Sequence, residues 1–145
     1  MAQKDFSKLY EIAYRCGHTG TIRVLGTDTT QEAEVEYRKT TLCPKCRMED
    51  RNRKGAYVAL EGSDKQIVWA LDIRDGFIKA FKNLLIRIEE APEKYRDSLL
   101  ALADKYYHDR IAVTSAKLWI DSREYYHDVR TVYGDMKDFA MKNHL

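Results

Sequence analysis

The sequence predicts an α+β fold, mainly α, in which an N-terminal β-hairpin head precedes a helical hairpin or small helical bundle. Three observations point there. All three cysteines fall in two short stretches, "RCGHTG" at Arg15 to Gly20 and "LCPKCR" at Leu42 to Arg47, with His18 beside the first. From Ser63 onward, apolar residues recur at helical spacing with few breakers. Only seven glycines and two prolines occur in 145 residues, too few for the turns of an all-β fold or for disorder.

Taken in order, "KLYEIAYR" from Lys8 alternates Leu9, Glu11, Ala13 and Arg15 with Tyr10, Ile12 and Tyr14, which is strand-like. After Gly20, Ile22 and Val24 share one face against Arg23 and Leu25. The two runs flank a Cys-Gly-His-Thr-Gly turn, so a β-hairpin is expected. A helix from Gln31 to about Lys39, capped at Asp28 or Thr29, follows, and "CPKCRMEDRNRK" turns into a charged helix ending at Gly55. "GAYVALEG" is an apolar connector. Ser63 then reads as an N-cap, with Gln66 at the capping-box position, of one long helix. Ile67, Leu71, Ile78, Phe81, Leu85 and Ile88 form its stripe, widened by Trp69, Ile73, Phe77 and Leu84. Pro92 suits N1 of a second helix striped by Tyr95, Leu99, Leu102 and Tyr106. Thr114 or Ser115 caps a short third, and "YYHDVRTVYGDMKDFAMKN" carries a last one. The expected organisation is a head at 1–55, a connector at 56–62 and a helical domain at 63–145.

Zinc takes about four thiolate or imidazole ligands in a tetrahedron. Cys43 and Cys46 have C-x-x-C spacing, and Cys16 with His18 supplies a second pair, its single intervening residue offset by the reach of imidazole. Twenty-four residues separate His18 from Cys43, enough for a returning strand and a helix. A head of about 50 residues lies near the lower limit for folding on apolar burial alone, whereas a structural zinc contributes roughly 10–16 kcal/mol. Four protein ligands leave no position for a catalytic water, and no H-E-x-x-H or H-x-E arrangement stands beside them, so a structural Zn2+ is expected.

"YRCGHTGTIRVLG…CPKC", "EGSDKQIVWALDIR" and "TSAKLWIDSR" together resemble a group of small bacterial and prophage-borne proteins. In these, a zinc-ribbon head with CGHxG and CPxC knuckles precedes a helical module carrying GSxKQIxWAxxIR and AKxWID stretches. The likeness spans residues from about 12 to 123. It implies a zinc-binding head and a mobile-element origin, and it carries over no activity. The chain departs from common ribbons in placing Arg47, not glycine, after the second knuckle, which implies that the knuckle runs straight into a helix. Residues 79–113 are elaborated.

A third of the residues are charged and 44% are apolar, as in a soluble folded protein, and the net +2 alone does not imply nucleic acid. The charge is local instead. Arg38, Lys39, Lys45, Arg47, Arg51, Arg53 and Lys54 stand against only Glu49 and Asp50, a net of +5 at the second knuckle, which suits phosphate contact or simply a solvated helix. "YYHDR" and "YYHDVR" form an imperfect repeat, so that Tyr106, Tyr107, Tyr125 and Tyr126 offer an aromatic contact surface, or Tyr106 and Tyr125 pack inward while His108 and His127 meet solvent. Trp69 and Trp119 are expected in the core. Arg74, on the apolar stripe, calls for a partner such as Asp121.

The expected function is a non-enzymatic, zinc-dependent module. It engages nucleic acid or a nucleic-acid-processing protein, one form being a phage-encoded, anti-CRISPR-like inhibitor of a host defence nuclease. The alternatives are a small metal-dependent hydrolase using the two His-Asp pairs, or a structural, oligomerising protein. No apolar run is long enough to span a membrane, and the charged stretch from Met1 to Cys16 is unlike a signal peptide, so a cytoplasmic location is expected. Oligomeric state is not encoded legibly.

Overall fold

A computed structural model describes residues 7–54 and 57–145, the side chain of residue 54 excepted. Gly55 and Ala56, at the expected helix end and connector, and the side chain of Lys54 lie outside the described residues. The fold is α+β and mainly helical, a two-stranded antiparallel hairpin followed by helices. The chain divides into two compact units, Met1–Arg51 and Asn52–Leu145.

In the first unit, β1 (Lys8–Ala13) pairs with β2 (Thr19–Val24), with Tyr10 opposite Ile22 and Ile12 opposite Gly20. Alternation puts Ile12, Tyr14 and Val24 inside, where they meet Val35 of helix α1 (Asp28–Lys39) and Cys43. Gly20 is needed as glycine, since a Cβ there would stand 3.0 Å from the Tyr14 ring. The cap of α1 is Thr27, one residue earlier than expected; its hydroxyl accepts from the Thr30 N–H, and Gly26 before it takes a φ of +112°. Gln31 is buried and spans the unit, accepting from the Tyr10 hydroxyl at 2.8 Å and donating to the Gly26 carbonyl at 2.9 Å. Helix α2 (Pro44–Lys54) starts within the second knuckle, as Arg47 in place of glycine implied.

The second unit is organised on α3 (Asp64–Glu89), capped by the expected Ser63–Gln66 box. Against it pack α4 (Glu93–Ile111), α5 (Ala116–Asp121), a single 3₁₀ turn (Arg123–Tyr126) and α6 (Val129–Lys142). Phe77 is the hub, with the rings of Tyr126, Trp119 and Tyr106 at 5.0, 5.6 and 5.9 Å. The connector belongs to this unit. Asn52 donates to the Leu60 carbonyl and accepts from its N–H, Glu61 bridges Ser115, and a Cβ at Gly62, whose φ is +151°, would stand 3.1 Å from Ala116 Cβ.

Several expectations are corrected. Pro92 is the cap of α4 and not its first helical residue, because its ψ of 137° is extended. Tyr95 is exposed, and the buried face of α4 is carried by Ala103 and Tyr106. The last helix does not begin at the second Tyr-Tyr pair: Asp128 folds its side chain onto Thr131 as a capping box, so α6 starts at Val129. Trp119 is buried and donates to the Val113 carbonyl, whereas Trp69 is 49% exposed beneath the Arg123 guanidinium, 5.3 Å away. Arg74 is buried, as its place on the stripe requires, and donates to the Val58 carbonyl at 2.6 Å while lying over the Tyr57 ring; Asp121 is exposed beside Lys117.

Candidate metal centre

The first knuckle is a turn closed by its own backbone. The Tyr14 N–H donates to the His18 carbonyl and the Gly17 N–H to the Tyr14 carbonyl, while Gly17 takes a φ of +87° that suits glycine. The Arg15 N–H donates to the Thr41 carbonyl at 2.9 Å, which ties this turn to the second knuckle. There Cys43 precedes Pro44, and Cys46 lies in the first turn of α2.

The four side chains converge. The sulfurs of Cys16, Cys43 and Cys46 and a ring nitrogen of His18 all lie within 4.8 Å of one another. His18 Nδ1 is 3.2 Å from Cys46 Sγ and 3.6 Å from Cys43 Sγ. A tetrahedral thiolate–imidazole site has donor–donor edges of about 3.5–3.8 Å, so the cluster matches a metal site in size and donor chemistry. The ring nitrogen that approaches the sulfurs is Nδ1, the one nearer the backbone. Imidazole reach is therefore not what offsets the short Cys16–His18 spacing; the turn at Gly17 does so.

Backbone N–H groups prepare the sulfurs for charge. The Cys43 N–H points at Cys16 Sγ (3.5 Å) and the Cys46 N–H at Cys43 Sγ (3.4 Å). The first of these bonds is the main cause that lowers the Cys16 thiol to about 6. Cys46, hydrogen-bonded to Cys43 and close to Cys16, is pushed up to about 12. Three sulfurs so close resist common ionisation until a cation sits among them, and a bound metal ion supplies that charge.

In the first unit Lys39, Lys45, Arg47 and Arg51 are exposed and Arg38 is half-buried, and Arg53, of the second unit, is exposed. They do not form one uniform face. Arg47 and Arg51 are a helical turn apart on one flank of α2, whereas Lys45, Glu49 and Arg53 share another. Arg38 pairs with Glu34 at 2.7 Å and Lys39 with Glu36 at 2.9 Å. Arg38, Arg47, Glu34, Thr41 and Tyr37 line a cleft of about 280 Å3. Tyr37, 63% exposed, is a residue sequence reasoning missed. Its signal is its place two residues from the buried Val35 and directly before Arg38.

In the second unit the Tyr-Tyr repeat is out of phase. Tyr106 and Tyr126 are buried, Tyr107 is half-buried and stacks on Phe81, and Tyr125 is exposed. The expected four-tyrosine contact surface therefore does not form, nor does Tyr125 pack inward. One copy sits on α4 and the other on a 3₁₀ turn, so equal sequence positions face different ways. Asp135 accepts from the Tyr106 hydroxyl at 2.6 Å and from Arg110 Nε at 3.0 Å, a network across 25 residues that no local spacing announced. His108 and His127 are exposed, Asp109 pairs with Arg110, and Asp128 caps α6. Among the described residues, one cluster of three or more metal-ligand side chains occurs, and neither histidine belongs to it. No helix of the described residues is long and apolar enough to cross a membrane.

Compared with protein-family models, with curated proteins and with solved structures, the chain matches none.

Proposed function

We propose that the first unit is a zinc-ordered, non-enzymatic binding module that takes nucleic acid as its target. The observation that carries the reading is the four-donor cluster at the base of α2. Three sulfurs and one nitrogen fill a tetrahedral zinc, which suits holding the two knuckles together and leaves no position for a reacting water. Zinc is the preferred ion because thiolate and imidazole donors in a tetrahedron match its chemistry. The ion's task is to present the side chains that flank it. Exposed Lys39, Lys45, Arg47 and Arg51 support phosphate contact from the elements the knuckles hold.

Fluorescence anisotropy with labelled oligonucleotides across a salt series tests this. Binding is expected to weaken with a log–log slope of roughly −0.7 to −0.9 per phosphate contacted. Joint Arg47→Gln, Arg51→Gln and Lys45→Gln substitution is expected to flatten that slope. Absence of binding at low salt by zinc-loaded protein refutes the reading.

A protein target, of which an inhibitor of a host defence nuclease is one form, is favoured by a separate observation. Trp69 is exposed under Arg123, and Tyr125 is exposed, residue types that anchor interfaces. Capture of a nuclease by wild type and not by Trp69→Ala supports this second reading. The hydrolase alternative has less support, because Asp109 is engaged by Arg110 and Asp128 by Thr131.

A further inference from the structure

Resting on the nucleic-acid reading, we propose that the target strand is single-stranded and that Tyr37 is the platform on which one of its bases stacks. The cleft between the end of α1 and the start of α2 is built for a flat ring beside a charged backbone. Tyr37 supplies an exposed aromatic face, and Arg38 and Arg47 supply cations on the same lining. Its floor is held in place. The Tyr37 carbonyl accepts from the Thr40 hydroxyl at 2.6 Å and from the Thr40 N–H at 3.0 Å, which closes the last turn of α1 at its C-terminus. The Thr41 hydroxyl donates to the Arg38 carbonyl at 2.8 Å, and one Arg47 nitrogen donates to the Leu42 carbonyl at 3.3 Å. Glu34, the carboxylate on the lining, is engaged by Arg38, which limits its repulsion of a phosphate.

Strandedness follows from what the ring can reach. In a duplex, both faces of each base are covered by neighbouring pairs, and only edges and phosphates are presented. An aromatic face in a cleft that Arg38 and Arg47 also line gains from a base only when that base is unstacked, as in a single strand.

Full-length, zinc-loaded protein is titrated against labelled oligothymidylate, oligouridylate and a duplex of matched length. Single strands are expected to bind more tightly than duplex. Tyr37→Ala is expected to weaken single-strand binding about tenfold and leave duplex binding unchanged; Tyr37→Phe keeps the ring and is expected to match wild type. Either single strand binding better supports the proposal and identifies the preferred sugar. Because Tyr37 lies outside the core, zinc stoichiometry and hydrogen exchange are expected to be unaltered in the variants, and a change there is answered by the phenylalanine variant. Equal or tighter duplex binding, or an alanine variant as tight as wild type on single strands, overturns the proposal while leaving nucleic-acid binding standing. Binding to neither single strand nor duplex at low salt overturns both.

Discussion

Removal of the proposed zinc is expected to unfold the first unit and spare the second. The hydrophobic cluster of the first unit consists of Ile12, Tyr14, Val24, Val35 and Cys43. At roughly 1.5–3 kcal/mol per buried side chain, it contributes about 10 kcal/mol before any entropy is counted. A structural zinc contributes roughly 10–16 kcal/mol, as much as the whole cluster. A net stability of about 5–15 kcal/mol, ordinary for a domain, does not survive that loss. The composition of the chain supplies a clean assay. Both tryptophans, Trp69 and Trp119, belong to the second unit, so their fluorescence reports on it alone. Amide hydrogen exchange along β1 and β2 reports on the first. Exhaustive chelation, or Cys46→Ser, is expected to abolish protection of the hairpin amides while Trp119 emission stays unchanged. Hairpin amides that remain protected without metal refute the reasoning.

Acid is expected to release the metal. In the unfolded, metal-free unit the three thiols carry protons below about pH 8.5, so binding displaces them, and apparent affinity rises about tenfold per pH unit for each proton displaced. Competition with a chromogenic chelator across a pH series measures this, and an affinity independent of pH refutes it. Asp135→Ala strips the acceptor from a largely buried Arg110 and from the Tyr106 hydroxyl, and a loss of about 3 kcal/mol is expected in urea denaturation. Trp119→Ala is expected to cost about 3–5 kcal/mol and Trp69→Ala under about 1 kcal/mol, read by thermal unfolding, because only the first ring is buried. Gly76→Ala is expected to stabilise α3 by about 0.5–1 kcal/mol, since a Cβ there meets nothing within 4 Å.

What could be read from the sequence is what depends on near neighbours. The two candidate ligand pairs Cys16–His18 and Cys43–Cys46, the Ser63–Gln66 box, the Ser115 cap and the repeat of the α3 stripe are each set within about four residues, the range over which a helical turn or chelating loop closes. The mainly helical α+β class followed from those local signals added together. Only the tertiary structure decided which member of each Tyr-Tyr pair is inside, why Trp119 is buried and Trp69 is not, and that Arg110 and Asp135 meet. It also brought Tyr37 beside Arg47 across the turn joining α1 to α2. Burial is a property of two surfaces, and the second surface comes from a distant part of the chain whose direction no short window encodes.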